Sequence, residues 1–123
     1  MDKELSETEL LILHFLWLEN QPKTFSEIME YFHTKQNKEW KKQTLNTFLL
    51  RLQKKDFLKT DRSSAKTLYI PTLTSEQYYQ QFTRKILDDS FQGSLKNFVS
   101  AFTGKQKLSQ KEKNELLDYI DRL

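Results

Sequence analysis

Cysteine is absent from this 123-residue chain, which excludes disulfides, thiol chemistry and cysteine-based zinc or copper sites together. Glycine and proline are nearly as scarce, with two of each. So few breakers, and so little alternation of β-forming residues, point to a mostly helical protein with short connections. No apolar run approaches the length that crosses a bilayer, and no charged-then-apolar leader opens the chain, so a cytosolic protein without membrane insertion is expected. Phosphate-cradling glycine loops, nucleophile motifs and zinc-ligand spacings are missing as well. His14 and His33 fall on separate expected helices, each without a second ligand at metal spacing. Asp88 and Asp89 are neighbours in sequence and point to different sides of a helix, which is not the geometry of paired carboxylates in a cleft. No enzyme, metal site or cofactor is read here.

What the chain does have is charge in one place. The net charge is only +3. Residues 1–37 carry three lysines against seven acids, whereas residues 38–66 carry nine lysines and arginines against three acids. Residues 67–123 are close to balanced, at eight against seven. The basic excess therefore covers one short central segment, as phosphate neutralisation would require, although a solvated helix face could also account for it.

That segment has a pattern. Leu45, Phe48, Leu49 and Leu52 recur at helical spacing and form one apolar stripe. At 100° per residue, Gln43, Asn46, Thr47, Leu50, Arg51 and Lys54 fall on the opposite side. Two brief strand-like runs follow, 57–62 and 66–71, separated by Ser63-Ser64-Ala65, which suits a turn. Helix, strand, turn and strand in that order make a winged helix-turn-helix.

Elsewhere, helix starts are unusually clear. Ser6 with Glu9, Thr24 with Glu27, Thr74 with Gln77 and Ser109 with Glu112 each have the spacing of a capping box. Ser94 can cap a further short helix between Gln92-Gly93 and Thr103-Gly104. The expected fold is mainly α with a small β-hairpin: a winged-helix DNA-binding domain over 1–72, then a helical dimerisation domain over 73–123. The second part is too small to bury its own apolar residues. Tyr78, Phe82, Ile86, Leu87, Phe91, Leu95, Phe98, Val99, Phe102, Leu116, Leu117 and Ile120 are therefore candidates for a homodimer interface. The competing reading folds these helices back onto the winged helix to complete a monomeric core.

An ordered set of strings also resembles a known family. It includes Leu5-Ser6 with Glu9, Trp17, Trp40, Thr44-Leu45, Thr47, Leu49, Arg51-Leu52 and Lys54-Lys55. It continues through Phe57-Leu58, Tyr69, Pro71, Phe91 to Leu95, Phe98-Val99, Phe102 and Lys107 to Ser109. On these residues the chain resembles the penicillinase-repressor family, the BlaI/MecI/CopY transcriptional repressors. The resemblance implies a homodimeric winged-helix repressor of a DNA operator with dyad symmetry. In members controlling β-lactam resistance it further implies a membrane sensor protease and cleavage before the phenylalanine matching Phe102. The family bond is usually Asn-Phe; here it is Ala101-Phe102. The copper-responsive members carry a cysteine-rich motif that this chain lacks.

The chain departs from the family beside the reading helix. Where the family often has Ser-Pro-Lys, this sequence has Lys41, Lys42 and Gln43, so the usual helix cap is missing and a lysine contact becomes an amide suited to adenine. Asp56 stands where a helix-ending glycine is common. Lys41, Lys42, Arg51 and Lys54 are expected to hold phosphates, Gln43, Thr44, Asn46 and Thr47 to read bases, and Arg62 and Lys66 to flank the wing tip. Leu50 on the outer face is either a thymine contact or plain surface. Two other readings remain: a winged-helix protein-interaction module, and a repressor that senses a small molecule directly.

Overall fold

The computed structural model describes residues 4–123, so residues 1–3 of the expected first domain lie outside it. In chain order the described residues form α1 (Glu7–Glu19), β1 (Lys23–Thr24), α2 (Phe25–Lys35) and α3 (Lys42–Lys54). These are followed by β2 (Leu58–Asp61), β3 (Leu68–Pro71), α4 (Ser75–Phe91), α5 (Leu95–Thr103) and α6 (Gln110–Asp121). All four capping boxes are hydrogen-bonded in both directions. At α1 the Ser6 amide donates to Glu9 Oε1 at 2.7 Å, and the Glu9 amide donates to Ser6 Oγ at 3.2 Å. The same reciprocal pair opens α2, α4 and α6.

The chain divides into two compact units, one ending at Tyr78 and the other running from Tyr79 to Leu123, so the division falls inside α4. The core of the first unit takes Ile12, Leu13, Phe15 and Leu16 from α1, Ile28 and Phe32 from α2, and Leu45, Leu49 and Leu52 from α3. Leu58 and Tyr69 close it from the sheet. Trp40 stacks on Phe32 at 4.8 Å and meets Phe48 at 5.5 Å, which fixes where the chain enters α3. Trp40 is thus a packing anchor.

The sheet has three strands, not two, in the order β1-β3-β2, all antiparallel. The hairpin pairs Thr60 with Tyr69, and β1 adds Lys23 opposite that same Tyr69. A two-residue Lys-Thr strand carries no alternation that sequence could show. Lys23 is buried, with its ammonium 3.2 Å from Glu19, 3.9 Å from Glu27 and 5.8 Å from the Phe15 ring centre. Thr24 ends this strand and also caps α2.

One ion pair ties α3 to α1. Glu9 is 1% exposed, and its Oε1 lies 2.7 Å from the Lys55 ammonium just beyond α3. Lys55 also donates to the Glu4 carbonyl at 2.8 Å. The Glu9 carboxyl lies below the usual glutamate range: burial pushes it up, but hydrogen bonds from Lys55 and Ser6 outweigh that. Asp56 then turns the chain with φ of +65°, the left-handed conformation its place demands. The Trp17 indole donates to the Leu73 carbonyl at 2.9 Å.

In the second unit, Gly93 with φ of +77° and Gly104 with φ of +53° bracket α5 in conformations that suit glycine. Phe91 meets Phe98 edge to face at 5.4 Å, and Phe98 stacks on Phe102 at 6.4 Å. Yet no residue from Tyr79 to Leu123 is buried.

Candidate nucleic-acid interface

Because Leu45, Leu49 and Leu52 are fully buried, helical geometry turns the other side of α3 outward. Gln43, Asn46, Thr47, Leu50, Arg51 and Lys54 are all exposed there. Gln43, Thr47, Leu50 and Lys54 lie along its centre line, with Asn46 on one flank and Arg51 on the other. Thr44 is half-buried at the edge of the face, less available than its neighbours. Thr47 Oγ1 donates to the Gln43 carbonyl at 2.9 Å, so its hydroxyl proton is committed to its own helix.

Lys41 is the N-cap residue of α3, and its side chain makes no cap hydrogen bond. Lys42 begins the helix, and no acid stands in the first turn. Two cations beside the positive end of a helix dipole repel it, and an anion placed there would relieve both at once. Arg51 and Lys54 occupy the last turn, where the dipole favours them.

The wing adds further cations. Arg62 and Lys66 are exposed on either side of a tip held by the Ser63 amide donating to Asp61 Oδ1 at 2.9 Å. Those bonds from Ser63 lower the Asp61 carboxyl. Lys66 also faces Glu27, whose carboxyl is lowered first by the Thr24 amide, with Lys23 and then Lys66 adding their charges. Lys59, exposed on β2, was visible in the sequence only as part of the local charge excess. Lys55, counted in that same excess, points instead at Glu9.

The apolar positions of the C-terminal half are not brought together as one set. Tyr78 belongs to the first unit: it is only 7% exposed and packs at 5.5 Å from Trp17 and 5.8 Å from Phe57. Ile86, Leu87, Phe91, Phe98 and Val99 are half-buried in the second unit. Phe82, Leu95, Phe102, Leu116, Leu117 and Ile120 are exposed, as are Tyr119 and Leu123, which the sequence reading passed over. Ala101 and Phe102 both lie in α5, Phe102 with 75% of its surface open.

The sequence family described as penicillinase repressor matches residues 5–122 of this chain. The chain belongs to the penicillinase repressor family. Among relatives, the penicillinase repressor of Bacillus licheniformis is 27% identical over 118 residues, covering 96% of this chain and 90% of that protein. The methicillin resistance regulatory protein MecI of Staphylococcus aureus (strain N315) is 22% identical over 119 residues, covering 97% and 94% respectively. MecI of Staphylococcus epidermidis is similar to the same extent. Penicillinase repressors are transcriptional repressors, not enzymes, and both conserved compass and chain length here match across nearly the whole protein. Among the described residues no helix is long and apolar enough to cross a membrane.

Proposed function

We propose that this penicillinase repressor family member binds a dyad-symmetric DNA operator as a homodimer in the cytoplasm, each copy placing α3 in a major groove. One observation carries the reading: the outward face of α3 is polar and cationic along its whole length, while its back is fully buried. Lys41, Lys42, Arg51 and Lys54 hold phosphates, and Arg62 and Lys66 reach backbone from the wing. Gln43, Asn46 and Thr47 meet base edges, with Thr44 at the margin. Two half-sites then lie about one helical turn apart, or a multiple of it.

The second copy is supported by the open apolar surface of α5 and α6. Leu95, Phe102, Leu116, Leu117 and Ile120 are all exposed in a single chain. A homodimer would cover them and complete a core that one copy lacks. Relief of repression fits the same surface: a membrane sensor protease cutting at Ala101-Phe102 would remove α6 and part of α5. Losing the link between half-sites leaves two weak, separate binders. In members serving β-lactam resistance this would release the resistance genes.

The test is a gel-shift titration against duplex from upstream of the protein's own gene, at two salt concentrations. With four helix cations per copy, or about eight phosphates per dimer, log affinity should fall with log salt at a slope of about −7. A specific band with that dependence supports the reading. Equal, weak and salt-insensitive binding to every duplex would instead mark an interaction module.

A further inference from the structure

The outward face of α3 is not uniformly polar. Leu50 sits on its centre line with 54% of its surface exposed, one turn from Thr47. Because Thr47 Oγ1 donates to the Gln43 carbonyl, what it offers outward is its methyl and an oxygen that can only accept. Leu50 and Thr47 therefore make a small apolar ridge, with Arg51 on one flank and Asn46 on the other. The C5-methyl of thymine is the one apolar group that base pairs present in the major groove. We infer that Leu50, together with the Thr47 methyl, selects thymine at one or two positions of each half-site by packing on the C5-methyl. This rests on the DNA-binding reading above and adds a residue to it that makes no hydrogen bond to any base.

The cations explain why the occupant is DNA. Lys41, Lys42, Arg51 and Lys54 surround the ridge, and a phosphate backbone drawn to them brings base edges against its centre. An apolar protein partner would have to strip water from that ring of charges to reach only two side chains. Alanine at position 50 is a better helix former than leucine and leaves no cavity on an exposed face, so the variant should fold.

The experiment selects the tightest duplex from a random pool with the full chain, then resynthesises it with deoxyuridine for thymidine in the half-sites. Uracil pairs as thymine does and lacks only the methyl. Wild type should bind the uracil duplex about fourfold more weakly for each methyl it contacts. Leu50→Ala should lose about as much on the thymine duplex and show a reduced difference between the two. Thr47→Val, which keeps the methyl, should retain the preference, and Thr47→Ser should weaken it. Equal wild-type affinity for both duplexes overturns this inference and leaves the repressor reading standing. Failure to select any duplex overturns both.

Discussion

Replacing Lys55 by Met takes one charge from a pair whose other member has almost no access to water. Glu9 Oε1 accepts from Lys55 and from the Ser6 amide, each at 2.7 Å, while Oε2 has no hydrogen-bond partner among the described residues. Methionine keeps most of the stem and removes the ammonium, so the loss is mainly electrostatic. Breaking a buried pair from one side costs about 3–5 kcal/mol, and the 29% exposure of the Lys55 side chain places this case near about 3. For a urea dependence of about 1.5 kcal/mol per molar, the unfolding midpoint should fall by about 2 M.

The pH dependence gives the sharper check. In the wild type the Glu9 carboxyl is held below the 4.5 of an ordinary glutamate, so its stabilisation is present above that value and is lost as pH falls through the lowered one. Without Lys55, burial faces only the Ser6 bonds, and the carboxyl should rise above its unfolded value. The variant's penalty is then greatest near neutrality and shrinks on acidification. Urea titrations of both proteins at neutral pH and again close to 4.5 measure this directly. A stability gap that stays constant or widens at the lower pH would refute the account, and Glu9→Gln added to Lys55→Met should recover part of the loss.

Three other outcomes are expected. Lys41→Ser should supply the missing cap of α3 and stabilise the fold by about 1 kcal/mol while weakening DNA binding, opposite signs that a thermal melt and a binding titration separate. Arg51→Ala should weaken all duplexes alike and lower the magnitude of the salt slope by about one, read from titrations across salt concentrations. Leu117→Asp, which places a carboxylate in each copy's share of the proposed interface, should raise the dimer dissociation constant about a hundredfold, at about 1.5 kcal/mol per copy. Sedimentation equilibrium on an unchanged first unit would show it; an unaltered dimer would remove α6 from the interface.

The helices were legible because their signals are local. Four capping boxes place side-chain acceptors three residues from their amides, and that spacing survives any tertiary context. The stripe of Leu45, Leu49 and Leu52 fixed the outward face of α3 for the same reason. What sequence hid depends on distant partners. Strand β1 exists only because Lys23 and Thr24 meet Tyr69 and Leu68 some 45 positions away. Tyr78 fits the apolar spacing of α4 but turns toward Trp17 and Phe57, a choice made by the first unit and not by the helix. Lys55 looked like another cation for phosphate until Glu9 was seen beside it. Thr47 kept its place on the outward face, yet its hydroxyl proved to be engaged with the main chain.

Thr24 closes β1 and caps α2 with the same residue, and β1 pairs with the middle strand of the sheet. Sliding that strand by a single position would turn Lys23 away from Glu19 and Glu27 and withdraw the cap from the Glu27 amide. Misalignment of the wing is thereby penalised at a point remote from its tip, which gives the hairpin a built-in proofreading of where it aims.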